Sequence, residues 1–477
     1  MLRTPLYLGK TPHLAVGVRI PEVFLDGILD GFKDERAAGG VMLSYHRETA
    51  PEYVINAPPG AYEITRGHTG TSIRRYIELS VAKAKEKEVA IEVEADHVSV
   101  TASATDAVRR ITGGRAVTKL SDREVEKVLE YIRDEVREAA STRNIYFFTI
   151  DTCELINHAA DQATNDEVSA LFKDQVGDSG LLNRYLGVDV SLGGLRLKFD
   201  QLEVKRIALK LYRSVEVLER IYRIIREEVP WEFGVEIAFD ETPNITDPKE
   251  LFFILRETTE RGVPVDFVAP NVGFQKREDY AGSLEELYSR VKVYSGISSL
   301  FSVLLSFHSG SGRTPFSMKG PGVHDTIRRA TGGLFKYKVS GVYFELLMHL
   351  MASHKSSRVR RFFEEIYDEV LAFLEEQVSV RGELYDENLA RLLEEHIRLS
   401  GNQGRYLVDT PLFRHYSFIA LNMRRDGKRF IREGVVQLYE EEPEFKASVD
   451  REVRRLTSML VESLGFTGNA ASVRRNI

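Results

Sequence analysis

The sequence predicts an α/β fold: a (β/α)8 barrel of the TIM type with a C-terminal helical extension. Three observations lead there. Short apolar runs recur about eight times, each ending in small or polar residues and followed by a helical pattern, the mark of repeated βα units on a parallel sheet. Polar residues gather at the C-terminal ends of those runs, where barrel enzymes keep their chemistry. After Gly341 the strand signals stop and the chain reads as almost wholly helical, with EEIYDEVLAFLEEQ the clearest amphipathic piece. The barrel is therefore expected over residues 1–345, with an insertion near 152–200, and the helical extension over 346–477.

The runs in order are LAVGVRI (14–20), YVINAP (53–58), VAIEVEADH (89–97), IYFFTID (145–151), GVEIAFDE (234–241), VDFVAPN (265–271), SVLLSFHS (302–309) and LFKYKVS (334–340). GGVMLSYH (39–46) is a ninth contender able to displace either of the first two. Helix starts follow from capping-box spacing at Ser121/Glu124, Asp200/Glu203 and Ser283/Glu286. Pro248 suits a first helical turn, and Gly262 reads as the C-terminal stop of that helix. The long segment between Asp151 and Gly234 holds a hairpin signal, VSLGGLRLKF, ahead of a helix over 201–228. Insertions of this kind usually follow a barrel strand on its functional face.

Composition narrows the function. At 477 residues, 43% apolar and 29% charged, the chain can bury a large core and is not disordered. A net charge of -7 argues against nucleic acid as the main ligand. Cys153 is the only cysteine, so an internal disulfide and a thiolate-rich zinc site are both excluded, and a reducing, cytoplasmic compartment is expected. No run of about twenty apolar residues suggests a membrane span, and the N-terminus does not read as a signal peptide. Abundant Glu, Lys and Arg with seven Met and one Cys resemble the composition of thermophile proteins. Self-assembly into a homo-oligomer stays open.

The strand ends carry the candidate chemistry. The third run ends in Glu94, Asp96 and His97, the fourth in Thr149 and Asp151, and the fifth carries Glu236, Asp240 and Glu241. The seventh ends in His308, Ser309 and Ser311, and the eighth holds Lys336 and Lys338. Residues two apart on a strand share a face. Val93, Val235, Ile237 and Phe239 suit the wall beneath the helices, so Glu94, Asp96, Glu236 and Asp240 should face the barrel axis, with His308, while His97 and Glu241 sit at the rim. Converging carboxylates repel unless a cation or shared protons neutralise them, and a divalent metal is the simplest resolution. Each residue has a structural alternative. A single strand-end Asp is as often a helix cap, and a lone strand histidine is more often a hydrogen-bonded core residue. His13, His46, His158, His324, His349, His354 and His396 lack this context and are read as structural. HSGSGR (308–313) reads equally as a glycine turn or as a cradle of backbone N–H groups for an anion, whereas ATGG (330–333) is most simply a helix terminus and turn.

At these strand ends the segments EADHV, FFTID, EIAFDET, SFHSGS and ATGGLFKYKVSG, in this order between residues 94 and 341, resemble the tagaturonate epimerase family. TRGHTGTSIRRYIELS (65–80) is more loosely similar, as is the tail around His415. The chain departs from the family in DTCELIN, which lacks an expected histidine after the fourth strand, in VAPNVG at the sixth, and in an N-terminal segment expected ahead of the barrel. The resemblance implies interconversion of tagaturonate and fructuronate, keto-hexuronates differing at one hydroxyl-bearing carbon, with a divalent metal: zinc first, or manganese, cobalt or nickel. That carbon is β to the ketone, so simple enolisation does not acidify its hydrogen. Retro-aldol cleavage to an aldehyde and an enediolate, rotation of the aldehyde and re-formation of the bond provide a route. No glycine-rich nucleotide fingerprint supports an oxidation–reduction route. On this reading His97, Asp240 and His308 are metal ligands with Glu236, or alternatively Glu241, completing the shell. Asp96, Asp151 and Glu241 are the catalytic candidates. Lys338, Arg74 and the amides of Ser309 and Ser311 are candidates for the substrate carboxylate, with Asn271 and His415 as further substrate-binding residues. A metal-dependent 4-epimerase or isomerase acting on a neutral ketose, and a non-catalytic sugar-binding barrel, are the alternatives.

Overall fold

Eight parallel strands close into a barrel in the structure, a computed structural model that describes residues 4–45, 48–58, 69–101, 120–177, 179–192 and 194–476. The strands are β1 (His13–Gly17), β2 (Gly39–Ser44), β3 (Ile91–Ser99), β4 (Phe147–Asp151), β5 (Gly234–Phe239), β6 (Phe267–Pro270), β7 (Leu304–Phe307) and β8 (Phe335–Val339). Each pairs with its sequence neighbour, and β1 meets β8 in a register that sets His13 beside Lys336 and Val16 beside Val339. All eight are almost wholly buried, their outward residues packed beneath the helices that follow them.

The ninth contender is the second strand. YVINAP, read as a strand, is instead a short helix, Glu52–Ile55, with Pro51 at its N-cap position and Glu52 in its first turn. Residues 39–44 take the barrel position because the glycine pair permits close approach. A Cβ on Gly39 would lie 2.3 Å from the Phe32 ring, and one on Gly40 would lie 1.8 Å from a Glu94 carboxylate oxygen. Both capping boxes at Ser121/Glu124 and Asp200/Glu203 form, and Thr164/Glu167 adds a third. At Ser283 only the hydroxyl half is present, accepting from the Glu286 amide. The hairpin signal of the insertion is an antiparallel pair, Asp189–Leu192 with Leu195–Lys198, and the following helix runs Gln201–Glu228.

Beyond β8 the chain is helical from Val342 onward, and helix Pro443–Leu464 returns to the barrel wall beside the first helix, Pro21–Asp34. Their contact is close: Gly27 faces Val453 and Gly31 faces Thr457 with no room for a Cβ at either glycine. Tyr343 and His324 bond Thr457 and Ser463 of the returning helix. No helix among the described residues is long and apolar enough to cross a membrane.

Candidate metal centre and active site

Inward-facing residues build a charged column along the barrel axis. On β3 the period-two alternation sends Glu92, Glu94 and Asp96 to one face, each about two strand residues (~6.6 Å) above the last. β8 sends Lys336 and Lys338 to meet them. Lys336 Nζ lies 2.5 Å from Glu94, while Lys338 Nζ lies 2.8 Å from Asp96 and 2.7 Å from Glu236. Burial alone would raise Asp96 and Glu236, but the lysines and histidines outweigh it and hold both carboxyls well below their usual range. Lys338 is correspondingly held charged: burial opposes the ammonium, and Asp96 and Glu236 overcome that opposition.

The column opens at the C-terminal ends of the strands into a cavity partly continuous with solvent. His97 reaches it because β3 is irregular between Ala95 and Val98, where His97 has φ of 51°. Strict alternation would put His97 opposite Asp96; the bulge turns both toward the mouth. His97 and His308 meet edge to face, 5.2 Å between ring centroids.

Each imidazole is oriented by a carboxylate behind it. His97 Nδ1 is 3.0 Å from Asp151, and His308 Nε2 is 2.6 Å from Glu236. The opposite nitrogens, His97 Nε2 and His308 Nδ1, face the mouth, and His308 Nδ1 lies 3.0 Å from Asp240 Oδ1. That nitrogen and that oxygen are buried without a hydrogen-bond partner among the described residues, and one donor atom each from His97, Asp240 and His308 lie within 4.8 Å of one another. Burial disfavours charge on His308, yet Asp240 and Glu236 overcome it and raise its pKa to about 10. The same negative field attracts a metal cation, which would displace the proton from the ring on binding. Two imidazoles, a carboxylate and carboxylates behind the rings form a donor set that fits a divalent ion.

The sequence model of the tagaturonate epimerase family matches residues 129–399, more than half of the chain. The chain belongs to the tagaturonate epimerase family. A curated relative, a tagaturonate/fructuronate epimerase of Thermotoga maritima, is 29% identical over 248 residues, covering 51% of this chain and 49% of that protein. The match thus spans about half the length of that relative. A glycerol-complexed fructuronate-tagaturonate epimerase from Cohnella laeviribosi has a similar fold, with a TM-score of 0.66 at 19% identity over 97% of this chain and 83% of that one. Its native form gives 0.65 at 18% identity over 97% and 82%. The family match takes in Asp151, Glu236, Asp240 and His308, whereas Asp96 and His97 precede it and His415 follows it.

For this family member the structure sorts the residues singled out in the sequence. Asp96, His97, Asp240, Glu241, His308, Ser309, Ser311 and Lys338 line one cavity. Glu236 and Asp151 stand behind the histidines rather than beside them as open donors, and Asp151 also accepts from the Cys153 amide at 3.0 Å. Glu241 is paired with Lys276 at 2.8 Å. Asn271 ties the loop after β6 to the loop after β5 by donating to the Thr242 carbonyl, and accepts from the Gly273 amide in its own turn. Arg74 does not join the site. It follows the N-cap Ser72 on the helix Ile73–Lys87, points outward and bonds Ser141, because the inward stripe of that helix is Ile73, Tyr76, Ile77, Ser80 and Val81. His415, half-buried in helix Pro411–Tyr416, is not among the cavity residues, and residues 65–68 of the loosely similar loop lie outside the described residues.

The sequence reading passed over Arg19, Glu48, Lys276 and Arg277 in the mouth, and a second cluster at the floor. There His13, Glu92 and Glu94 bring donor atoms within 4.8 Å of one another. Glu92 had a legible signal, since it shares a strand face with Glu94 and Asp96; burial and the charge of Glu94 raise its carboxyl well above the usual range. The four mouth residues lie on loops, where no periodicity marks direction.

Proposed function

We propose that this protein interconverts tagaturonate and fructuronate with a divalent metal held by His97, Asp240 and His308. The observation that carries the reading is the pair of buried donor atoms, His308 Nδ1 and Asp240 Oδ1, which face each other at 3.0 Å with no other partner among the described residues, beside His97 at the mouth of a barrel of the tagaturonate epimerase family. A bound divalent ion would supply Lewis-acid stabilisation of negative charge developing on the keto and neighbouring hydroxyl oxygens.

The chain's own groups supply the rest. Asp96, kept ionised by Lys338, is placed to accept the proton of the hydroxyl β to the ketone. The Lys338 ammonium faces the same space and stabilises an oxyanion there, and Asp96 returns the proton it took when the carbon–carbon bond re-forms on the other face of the aldehyde. Asp151 and Glu236 fix the orientation of the two imidazoles, and Glu241 holds Lys276 at the rim.

The test is to incubate the metal-loaded protein with tagaturonate and with tagatose and follow products by NMR, before and after chelation. Epimerised tagaturonate that disappears on chelation supports the reading. Preferential turnover of tagatose would move it to a neutral-ketose enzyme, and turnover unaffected by exhaustive chelation would remove the metal.

A further inference from the structure

The mouth contains four basic side chains besides the histidines, and three are already matched to acids. Lys338 is held by Asp96 and Glu236, Lys276 by Glu241 at 2.8 Å, and Arg19 by Glu48 at 2.6 Å. Arg277 differs. Its guanidinium makes no ion pair or hydrogen bond among the described residues, although the residue is only 6% exposed and lines the cavity. A buried, unmatched cation is costly, and a structure keeps one where a ligand completes it.

Its placement is built rather than incidental. Arg277 has φ of 57°, a backbone conformation held by its surroundings: Arg414 donates to the Arg277 carbonyl at 2.7 Å and is itself anchored to Glu345 at 2.6 Å. Lys319, buried, donates to the carbonyls of Gln275 and Ser311 and so ties the Arg277 loop to the loop after β7. The guanidinium lies against Gly341, where an added Cβ would sit 2.7 Å from Nη2. Gly341 is the N-cap of helix Val342–Ala352, whose first-turn amides and positive dipole end favour an anion at the same spot. Burial, followed by the nearby Arg19 charge, lowers the Arg277 pKa to about 10 against the smaller opposing pull of Glu345 and Glu48, which are themselves paired with Arg414 and Arg19.

We propose that Arg277, seated on Gly341 at the start of helix Val342–Ala352, binds the terminal carboxylate of the sugar acid and makes the site select a uronate over the neutral ketose. This rests on the keto-hexuronate reading above and locates its acid-recognising group. Fork geometry on a carboxylate is what arginine provides and lysine does not.

The test compares wild type, Arg277→Gln and Arg277→Lys with tagaturonate and tagatose, after circular dichroism and metal content establish that each variant folds and loads normally. Arg277→Gln should raise the KM for tagaturonate by about 100-fold with a smaller change in kcat, and leave the KM for tagatose within about twofold; Arg277→Lys should fall between. A KM for tagaturonate within twofold of wild type, or equal losses on both sugars, overturns the assignment. If wild type does not turn over tagaturonate, the epimerase reading fails separately, and calorimetry then judges the carboxylate site. Wild type binding tagaturonate at least tenfold tighter than tagatose, with the difference gone in Arg277→Gln, supports it; equal affinities overturn it. If neither Arg277 variant folds, Gly341→Ala, which crowds the guanidinium, replaces them under the same criteria.

Discussion

The barrel interior holds two clusters of similar make-up that have opposite fates. At the floor, His13, Glu92 and Glu94 converge around Lys336, whose ammonium is 2.5 Å from Glu94 and 3.9 Å from Glu236 and stands 3.5 Å over the Phe147 ring. At the mouth, His97, Asp240 and His308 converge with no lysine among them, Lys338 being engaged by Asp96 and Glu236 and Lys276 by Glu241. Floor charge is neutralised from within by a lysine and by protonation of Glu92, which burial and the Glu94 charge favour. At the mouth Asp240 meets, among the described residues, only the His308 ring, whose proton an incoming metal ion can displace. Histidines grouped with carboxylates therefore do not make a metal site by composition; what decides is whether the protein also supplies its own cation and whether the cluster opens to a cavity.

Five substitutions would break or sharpen that contrast. The largest effect is expected from His308→Ala, which removes a donor at the mouth: bound metal should be lost and kcat/KM for tagaturonate should fall by at least ~1000-fold, as read by metal analysis and NMR turnover. The parallel change at the floor, His13→Gln, should leave metal content unchanged. Next, Lys336→Met strands the floor carboxylates without their cation and should destabilise the fold by about 3–5 kcal/mol in denaturant melts, with partial recovery when Glu94→Gln is added.

A buried histidine outside both clusters sharpens the comparison through pH. His324 has hydroxyl neighbours only, Ser463 at 2.8 Å and Tyr337 at 3.1 Å, where His308 has two carboxylates. Burial, and to a lesser degree Arg328, lowers its pKa from 6.5 to about 4. The unfolded chain therefore binds this proton more readily than the folded one. The stability it contributes is complete above pH 6.5 and is lost as pH falls towards 4, by up to ~3 kcal/mol. Thermal melts across that window should show the slope, and His324→Gln should flatten it. The smallest effect is expected from Asp151→Asn, which keeps the ring of His97 but weakens its orientation: metal affinity should fall about 10–100-fold with the fold intact, measured by chelator competition.

The contrast also shows what the sequence made legible. Strand runs ending in acids and histidines located the mouth, because in a closed parallel barrel inward residues repeat every second position and the C-terminal ends lie together. The same alternation carried Glu94, Asp96 and Glu236 to the axis. It could not carry His97, which reaches the mouth through the irregularity in β3, nor tell YVINAP from a strand, since a short apolar run next to proline supports either form. Residues on loops were the least legible. Arg277 sits in NVGFQKRED, which reads as an exposed polar loop, and only a three-dimensional pairing of each cation with its acid sets it apart. Arg74 was misplaced for the converse reason: it was taken from a segment only loosely similar to the family's, and Ser72 starts a helix there that turns Arg74 outward.

The contrast between mouth and floor is tested most directly by anomalous X-ray scattering from crystals of the zinc-loaded protein, recorded above and below the zinc absorption edge. A peak about 2.0–2.2 Å from ring nitrogens of His97 and His308 and from a carboxylate oxygen of Asp240, with none at the floor, is the predicted result. A peak among His13, Glu92 and Glu94, or no peak at the mouth in protein that turns over substrate, would contradict the account.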